Sequence, residues 1–369
     1  MNAEQLTFVV GTGRCGSTAV SRVLHEHPDV LSISEMTAGI KRILRPGFPS
    51  VDGREMWRLL AQRTPLIDEL ICAGLKTAEF RYPYGRGRFD PARKEVPWIC
   101  HCMLPMLSDD PDALFDLLAA EVVTWPVRAP ADHLLALFAF LSKVFGKSVV
   151  VERSGVSIDA AAQLRQQFPG ARFVLIHRDG PDCALSMSRH PVFRLRGLWA
   201  EVKRQHGEAA DPGQFRGLVT PPLDAERFMS YPIPLTFFGE FWSSLLCQGI
   251  PALAELPPGG WTSLRYEDLL SHPDRELARI AAFIGVAATP QWLSAAAAII
   301  NGHRPASAAT SELGPADLAA IQEACMPGAQ AIVTAEARLA AAAREPSSLQ
   351  CPARHGLRAR GHHSRVDSD

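Results

Sequence analysis

The sequence lacks a long apolar segment and has almost no excess charge. No run of about 18 apolar residues occurs in it, so we expect no stable insertion into a membrane. The formal net charge at pH 7 is -1, which favours neither nucleic acid nor an anionic membrane surface as a partner. We therefore expect no nucleic acid partner, and any anion-binding site must be a local feature of the fold.

The sequence also lacks the signs of a secreted protein. Its eight cysteines form no C-x-x-C pair and are too sparse for a disulfide-stabilised scaffold. The first apolar run begins near Leu6, and no basic region followed by an apolar stretch precedes it. These features predict a cytoplasmic protein.

Short apolar runs alternate with helical patterns along much of the chain. This alternation is typical of a parallel sheet that is covered by helices on both faces. With 47% hydrophobic residues, the chain can bury a large core. We predict a three-layer α/β fold with a central parallel sheet, whose strands lie near residues 6–10, 30–33, 148–151, 172–176 and 261–266.

Two long insertions interrupt the alternation, at about residues 36–147 and 207–234. The first contains an irregular stretch with Tyr82, Tyr84 and Phe89 among several arginines. Long irregular segments in a compact domain commonly form lids or binding loops. We therefore expect both insertions to cover the functional site.

The C-terminal part changes in character. Residues 315–343 are Ala-rich and predict a helix, with a break at Pro327-Gly328. Residues 344–369 are polar and rich in Pro, Ser, His and Arg, which is typical of a disordered tail. We expect a single domain over residues 1–343 followed by this tail.

A glycine-rich loop joins the first predicted strand to a helix over about residues 17–25. Its glycines allow positive φ values and close approach of the backbone to a ligand. The helix directs its free N–H groups and the positive end of its dipole into the loop. This arrangement predicts an anion site, with these binding residues: Gly13, Arg14, Cys15, Gly16, Ser17 and Thr18.

Two familiar nucleotide loops fit this segment in part. The spacing Gly11-x-Gly13-x-x-Gly16 satisfies the dinucleotide fingerprint, and Glu35 lies near the position of its ribose-binding acid. The P-loop pattern of ATP and GTP hydrolases is nearly satisfied as well. However, Ser17 stands where that pattern has its lysine, which argues against nucleotide hydrolysis.

The whole string Arg14-Cys15-Gly16-Ser17-Thr18 resembles the 5′-phosphosulfate loop of sulfotransferases that use 3′-phosphoadenosine 5′-phosphosulfate (PAPS). A second segment strengthens this resemblance, because Arg178 ends a predicted strand and Ser186 follows eight positions later on a helix. That spacing is similar to the 3′-phosphate motif of the same family. The segments around His27-Pro28-Asp29-Val30 and Tyr266-Glu267-Asp268-Leu269 look like further family signatures.

The resemblance covers roughly residues 6–35, 149–191 and 262–285. It implies a P-loop-like fold and a PAPS-dependent sulfotransferase, closer to the tyrosylprotein, carbohydrate and bacterial branches than to the steroid-type branch. PAPS would be the co-substrate and 3′,5′-adenosine bisphosphate (PAP) the product, with no metal required. Arg178 and Ser186 would bind the 3′-phosphate, and the loop would bind the 5′-phosphate.

The resemblance also implies catalytic roles. Arg14 would lie beside the sulfate bridge, where negative charge accumulates on the leaving phosphate oxygen. Glu35 resembles the catalytic glutamate of the tyrosylprotein branch and is the predicted general base, although it could instead be a capping or ion-pairing carboxylate. Arg153 stands where many relatives have Lys, and either contacts the transition state or forms an outward-facing ion pair. His101 is an alternative base.

The acceptor is not determined by the sequence. It could be a hydroxylated small molecule, a sugar, a lipid or a peptide, and Tyr82, Tyr84 and Phe89 are candidates for contacting it. A nucleotide-binding protein without turnover would keep both anion sites but lack a working base. An NAD-dependent oxidoreductase would leave Arg178 and Ser186 without a role. The oligomeric state is not indicated.

Overall fold

A parallel β-sheet forms the centre of the protein. The computed structural model describes residues 5–207, 215–302 and 310–342. Within these residues the sheet has the order β2-β3-β1-β4-β5, and all adjacent strands are parallel. The strands are β1 (Leu6–Val10), β2 (Val30–Ser34), β3 (Val149–Arg153), β4 (Arg172–His177) and β5 (Trp261–Arg265). The predicted α/β fold with a central parallel sheet is confirmed.

Three strands of the sheet are buried along their whole length, which accounts for the uninterrupted apolar runs at residues 8–10 and 149–151. Every residue of β1, β2 and β3 is buried, as expected for a parallel sheet that is covered on both faces. Phe8 of β1 packs between Phe168 and Phe173, with ring centroids 5.3 and 5.5 Å away. The hydrophobic core is therefore continuous across the middle of the sheet.

Helices cover the sheet and build the insertions. They are α1 (Ser17–His25), α2 (Met36–Ile40), α3 (Gly53–Leu60), α4 (Pro65–Cys72), α5 (Trp98–Cys102), α6 (Leu104–Leu107), α7 (Pro111–Val122), α8 (Pro130–Phe145), α9 (Ala161–Gln167), α10 (Gly180–Ser188), α11 (Pro191–His206), α12 (Ala225–Ser230), α13 (Leu235–Ala254), α14 (Tyr266–Ser271), α15 (Pro273–Ile284), α16 (Pro290–Asn301) and α17 (Pro315–Ala342). Of the described helices, none is long and apolar enough to cross a membrane.

The first insertion joins β2 to β3 and consists of α2 to α8. Its helix α4 meets the second insertion in a small hydrophobic cluster, where Leu70 packs with Phe215, Leu218 and Phe228. The two insertions thus pack together in part. The single domain stays a prediction, and the expected tail at residues 344–369 lies outside the described residues.

The predicted break at Pro327-Gly328 is wrong, because α17 runs through it. Pro327 removes a backbone donor from the helix and displaces the preceding turn. Ser243 of α13 supports the helix at the neighbouring pair, since its Oγ donates to the carbonyl of Ala324 at 2.7 Å and accepts from the N–H of Gly328 at 3.3 Å. Packing against α13 therefore maintains a helix that its own sequence would interrupt.

Candidate active site

The carboxyl ends of the strands meet at one edge of the sheet and surround a cavity of about 530 Å³. The loop after β1 provides Arg14, the residue after β2 is Glu35, and the end of β3 provides Arg153. Arg178 follows β4 and also lines the cavity. The chain runs from β1 toward β2 on one side of the sheet and from the adjacent β4 toward β5 on the other, and such a switch point opens a crevice in an open α/β sheet.

The loop between β1 and α1 has the backbone of an anion-binding loop. Gly13, Arg14 and Gly16 have φ values of 78°, 57° and 89°, all in the left-handed region. A Cβ atom at Gly13 would lie 2.5 Å from the ring of Phe193, and one at Gly16 would lie 2.1 Å from the ring of Tyr266. Both positions therefore require glycine. Turns of this kind make concave sites that attract anions.

Of the six predicted loop residues, all but Cys15 line the cavity. The side chain of Cys15 is fully buried, and this burial raises the pKa of its thiol despite nearby backbone hydrogen bonds. Its thiol therefore packs in the core as a neutral group. Only the backbone of Cys15 can contribute to ligand binding.

The two sequence motifs meet at Arg14. Its Nε donates to Oγ of Ser186 at 3.1 Å, and its carbonyl accepts from Nη1 of Arg178 at 3.4 Å. These contacts join the loop after β1 to the helix after β4, although the motifs are more than 160 residues apart in sequence. A second cavity of about 310 Å³ is lined by Arg14, Arg178 and Ser186.

Arg178 forms an ion pair and a ring contact, and it also has a donor that is free to bind a ligand. Its Nη2 donates to Oδ2 of Asp182 at 3.2 Å, and its guanidinium carbon lies 5.6 Å from the ring centroid of Tyr266. Its buried Nε has no hydrogen-bond partner among the described residues. Arg178 is therefore paired with Asp182, and one donor of the same side chain is left unused.

Glu35 and Arg153 form a buried ion pair in the cavity wall. Glu35 has a positive φ of 57° and precedes α2, but its side chain does not cap that helix. Both of its carboxylate oxygens instead accept from the N–H of Gly155, at 3.1 and 3.0 Å. The backbone N–H of Gly155 therefore helps to hold the carboxylate in place.

Among the cavity residues that the sequence did not predict, Glu79 and His190 carry titratable side chains beside the anion-binding loop. Glu79 lies in the first insertion, and its Oε1 is 3.1 Å from Nη1 of Arg14 while its Oε2 is 3.5 Å from Nε2 of His190. Burial alone would raise the pKa of Glu79, but the hydrogen bond and charge of His190, together with the charge of Arg14, hold it well below its usual value. Glu79 is therefore an ionised carboxylate beside the loop cation.

The other candidates from the first insertion lie away from the cavity. His101 is completely buried, its Nδ1 is 2.7 Å from Oη of Tyr84, and burial lowers its pKa to about 4. Tyr82 is also buried and donates to Asp112. Neither His101 nor the three aromatic candidates line the cavity; their neighbours Glu79 and Phe80 do.

The remaining wall of the cavity is largely apolar. Within the described residues, the part contributed by the insertions comes from the first one, and its apolar members include Ile67, Phe80 and Trp98. Trp98 Nε1 donates to the carbonyl of Glu35 at 2.6 Å, which ties the insertion to the end of β2. No described group of three or more His, Cys, Asp or Glu side chains could hold a metal ion.

Comparisons with known proteins give a match to one family model and to several solved structures. A family model described as "Sulfotransferase family" matches residues 7–211. No curated protein matches the chain.

Several solved structures are similar to the chain at low identity. The sulfotransferase domain from the curacin biosynthetic pathway is 14% identical, with a TM-score of 0.45, over 86% of this chain and 95% of that one. The sulfotransferase domain of the Synechococcus PCC 7002 olefin synthase is 15% identical, with a TM-score of 0.43, over 90% of this chain and 94% of that one. A sulfotransferase from Mycobacterium avium is 12% identical, with a TM-score of 0.41, over 88% of this chain and 76% of that one.

Proposed function

Because the chain belongs to the sulfotransferase family, we propose that it transfers a sulfuryl group from PAPS to a hydroxyl group of an acceptor. The observation that carries this proposal is the contact between Arg14 and Ser186, with Nε and Oγ 3.1 Å apart. It brings an anion-binding loop together with a second group of anion-binding side chains, and a nucleotide with two phosphorylated ends would use both. A dinucleotide site would leave the second group unused.

The residues of the site fit such a donor. The backbone of Gly13 to Gly16 and the hydroxyls of Ser17 and Thr18 would bind the 5′-phosphate at the start of α1. Arg178 and Ser186 line the smaller cavity and would bind the 3′-phosphate. The unused Nε of Arg178 supports this role, because a buried guanidinium donor without a partner is costly.

The donor supplies an activated sulfuryl group, and the protein would supply charge and orientation. Glu35 would accept the proton of the acceptor hydroxyl while the oxygen bonds to sulfur. The bond from sulfur to the bridging oxygen would break, and Arg14 and Arg153 would stabilise the negative charge left on the phosphate of PAP. Gly155 and Arg153 hold the carboxylate of Glu35 at the cavity wall, so its orientation is fixed before an acceptor binds.

A binding and turnover experiment tests the proposal. We expect PAP to raise the melting temperature of the protein, while ADP and NAD leave it unchanged. We also expect PAP to form from PAPS in the presence of a panel of hydroxylated compounds. Stabilisation by NAD alone would favour an oxidoreductase. Tight PAP binding without PAP formation across a broad acceptor panel would favour a nucleotide-binding protein without turnover.

A further inference from the structure

One cation of the cavity wall differs from the others in having no partner. The remaining basic side chains that line the cavity are each engaged: Arg14 and His190 by Glu79, Lys41 by Asp159, Arg153 by Glu35, Arg178 by Asp182, and Arg196 by the ring of Phe241. Within the described ranges, the guanidinium of Arg22 makes neither an ion pair nor a hydrogen bond. It is nevertheless partly buried, so its charge is incompletely solvated.

Arg22 lines three separate cavities. It follows Thr18 by four residues on α1, so the two side chains lie on the same face of the helix. It lines the main cavity and also a narrow hollow whose wall includes Glu35 and Arg153. On the far side it lines an open groove of about 780 Å³. The face of α1 thus leads from the 5′-phosphate loop, past the proposed base, to the groove.

A second arginine borders the same hollow and groove. Arg81 is exposed, and its Nη1 lies 3.1 Å from Sδ of Met106. In the part of the chain that is described, no carboxylate pairs with it. The acidic side chains of the groove, Glu26 and Asp109, are exposed and form no ion pair with either arginine among the described contacts. Two guanidinium groups without carboxylate partners among the described residues therefore border the small hollow beside Glu35.

The anions of the donor do not account for these cations. In the proposed function, the loop and Arg14 bind the 5′-phosphosulfate, and Arg178 and Ser186 bind the 3′-phosphate. Arg22 lies one helical turn beyond that loop, on the side of Glu35. We propose that Arg22, assisted by Arg81, binds a carboxylate of the acceptor, so that the substrate is a hydroxylated acid with an apolar body. This inference rests on the proposed function.

The apolar body follows from the other side chains of the cavity wall. Trp98 contacts the backbone of Glu35, and Phe80 and Ile67 line the same cavity. A hydroxyl at Glu35 and a carboxylate at Arg22 would leave the rest of the acceptor against these side chains. A charged hydrogen bond to a guanidinium that has no internal partner contributes roughly ten- to a hundredfold in affinity. Recognition of charge should therefore dominate the selectivity for the acceptor.

The test uses full-length protein saturated with PAP and three isosteric probe pairs. These are 4-hydroxybenzoate and its amide, 4-hydroxyphenylacetate and its amide, and 6-hydroxyhexanoate and its amide. Isothermal titration calorimetry should show at least one acid binding about tenfold or more tightly than its amide. In Arg22→Gln this preference should fall to within about twofold, and in the double variant with Arg81→Gln it should vanish. Arg196→Gln, at another wall of the cavity, should keep it.

Three outcomes would overturn the inference. The first is that no acid is preferred over its amide. The second is that the preference for an acid survives in the double variant. The third is that Arg196→Gln abolishes this preference as completely as Arg22→Gln does. A fourth comparison examines the competing role of Arg22 as a ligand of the sulfuryl group. If Arg22→Gln weakens PAPS but not PAP, Arg22 binds the donor and the inference is wrong. A wild-type protein that binds no PAP would instead contradict the proposed function itself.

Discussion

Glu79 Oε1 lies 3.1 Å from Nη1 of Arg14, so a carboxylate from the first insertion contacts the cation of the anion-binding loop. The same carboxylate approaches His190, and its contacts with His190 and Arg14 hold the pKa of Glu79 below the usual value despite burial. An internal anion therefore stands beside the place proposed for the phosphosulfate of the donor. Its negative charge must be overcome or displaced when a highly charged nucleotide binds.

The first prediction concerns this internal anion. Glu79→Gln removes one negative charge while keeping the shape of the side chain, so PAP should bind about three- to tenfold more tightly, as expected for the loss of a like charge in a partly buried site. Calorimetry at low and high salt measures the effect, which should shrink at high salt. Weaker binding by the variant would show instead that Glu79 acts mainly by positioning Arg14.

The second prediction concerns the 3′-phosphate. Arg178→Ala should weaken PAP binding by roughly 1.5–3 kcal/mol, the usual contribution of a hydrogen bond to a charged group. AMP, which lacks the 3′-phosphate, is the matched ligand, and its affinity should change little. An equal loss for PAP and AMP would indicate that the variant disturbs the loop through the contact between Arg178 and the carbonyl of Arg14.

The third prediction concerns the base. Glu35→Gln should retain PAP binding and lower the rate of sulfuryl transfer by about a hundredfold or more, the usual scale of general base catalysis. Gln can still accept from the N–H of Gly155, so the local backbone should persist. The control is Arg153→Lys, which keeps the charge beside Glu35 and should reduce the rate less. An unimpaired Glu35→Gln enzyme would assign proton transfer to another group, with His190 next in line because it lines the cavity.

The fourth prediction separates backbone strain from steric contact in the loop. Gly16→Ala combines a positive φ of 89° with a Cβ only 2.1 Å from the ring of Tyr266. Gly85 has a φ of 80° and nothing within 4 Å of an added Cβ, so Gly85→Ala isolates the backbone cost, about 1 kcal/mol. Gly16→Ala should lower the melting temperature more than Gly85→Ala does, and it should also abolish PAP binding. Similar behaviour of the two variants would mean that Tyr266 moves freely.

Much of the sheet and the loop could be predicted because their signals are local. An apolar strand that runs into glycines and then into a helix specifies its own turn, and the positive φ values of Gly13 and Gly16 are those that the loop requires. The convergence of Arg178 with that loop also followed, since the carboxyl ends of parallel strands meet at one edge. The continuous helix through Pro327 could not be predicted, because Ser243 supports it from a different helix.

The sequence does not indicate which residues of the first insertion line the cavity. Tyr82, Tyr84 and Phe89 have the composition of a ligand-binding loop, yet they pack against one another and leave the cavity to Glu79 and Phe80. No local pattern distinguishes these neighbours. Which side of an irregular segment faces a cavity depends on packing against residues far away in the chain.

The amino-acid sequence by itself determined the parallel sheet and the anion-binding loop, because strand and turn preferences act over a few residues. It also indicated that this loop meets a second motif, because the carboxyl ends of parallel strands share one edge of the sheet. Only the tertiary structure decided which charges neutralise one another. It pairs Glu35 with Arg153 and Glu79 with Arg14, and it leaves Arg22 without a partner in the described chain. The physical reason is that electrostatic partners are chosen by distance and burial in space, which a linear pattern does not record.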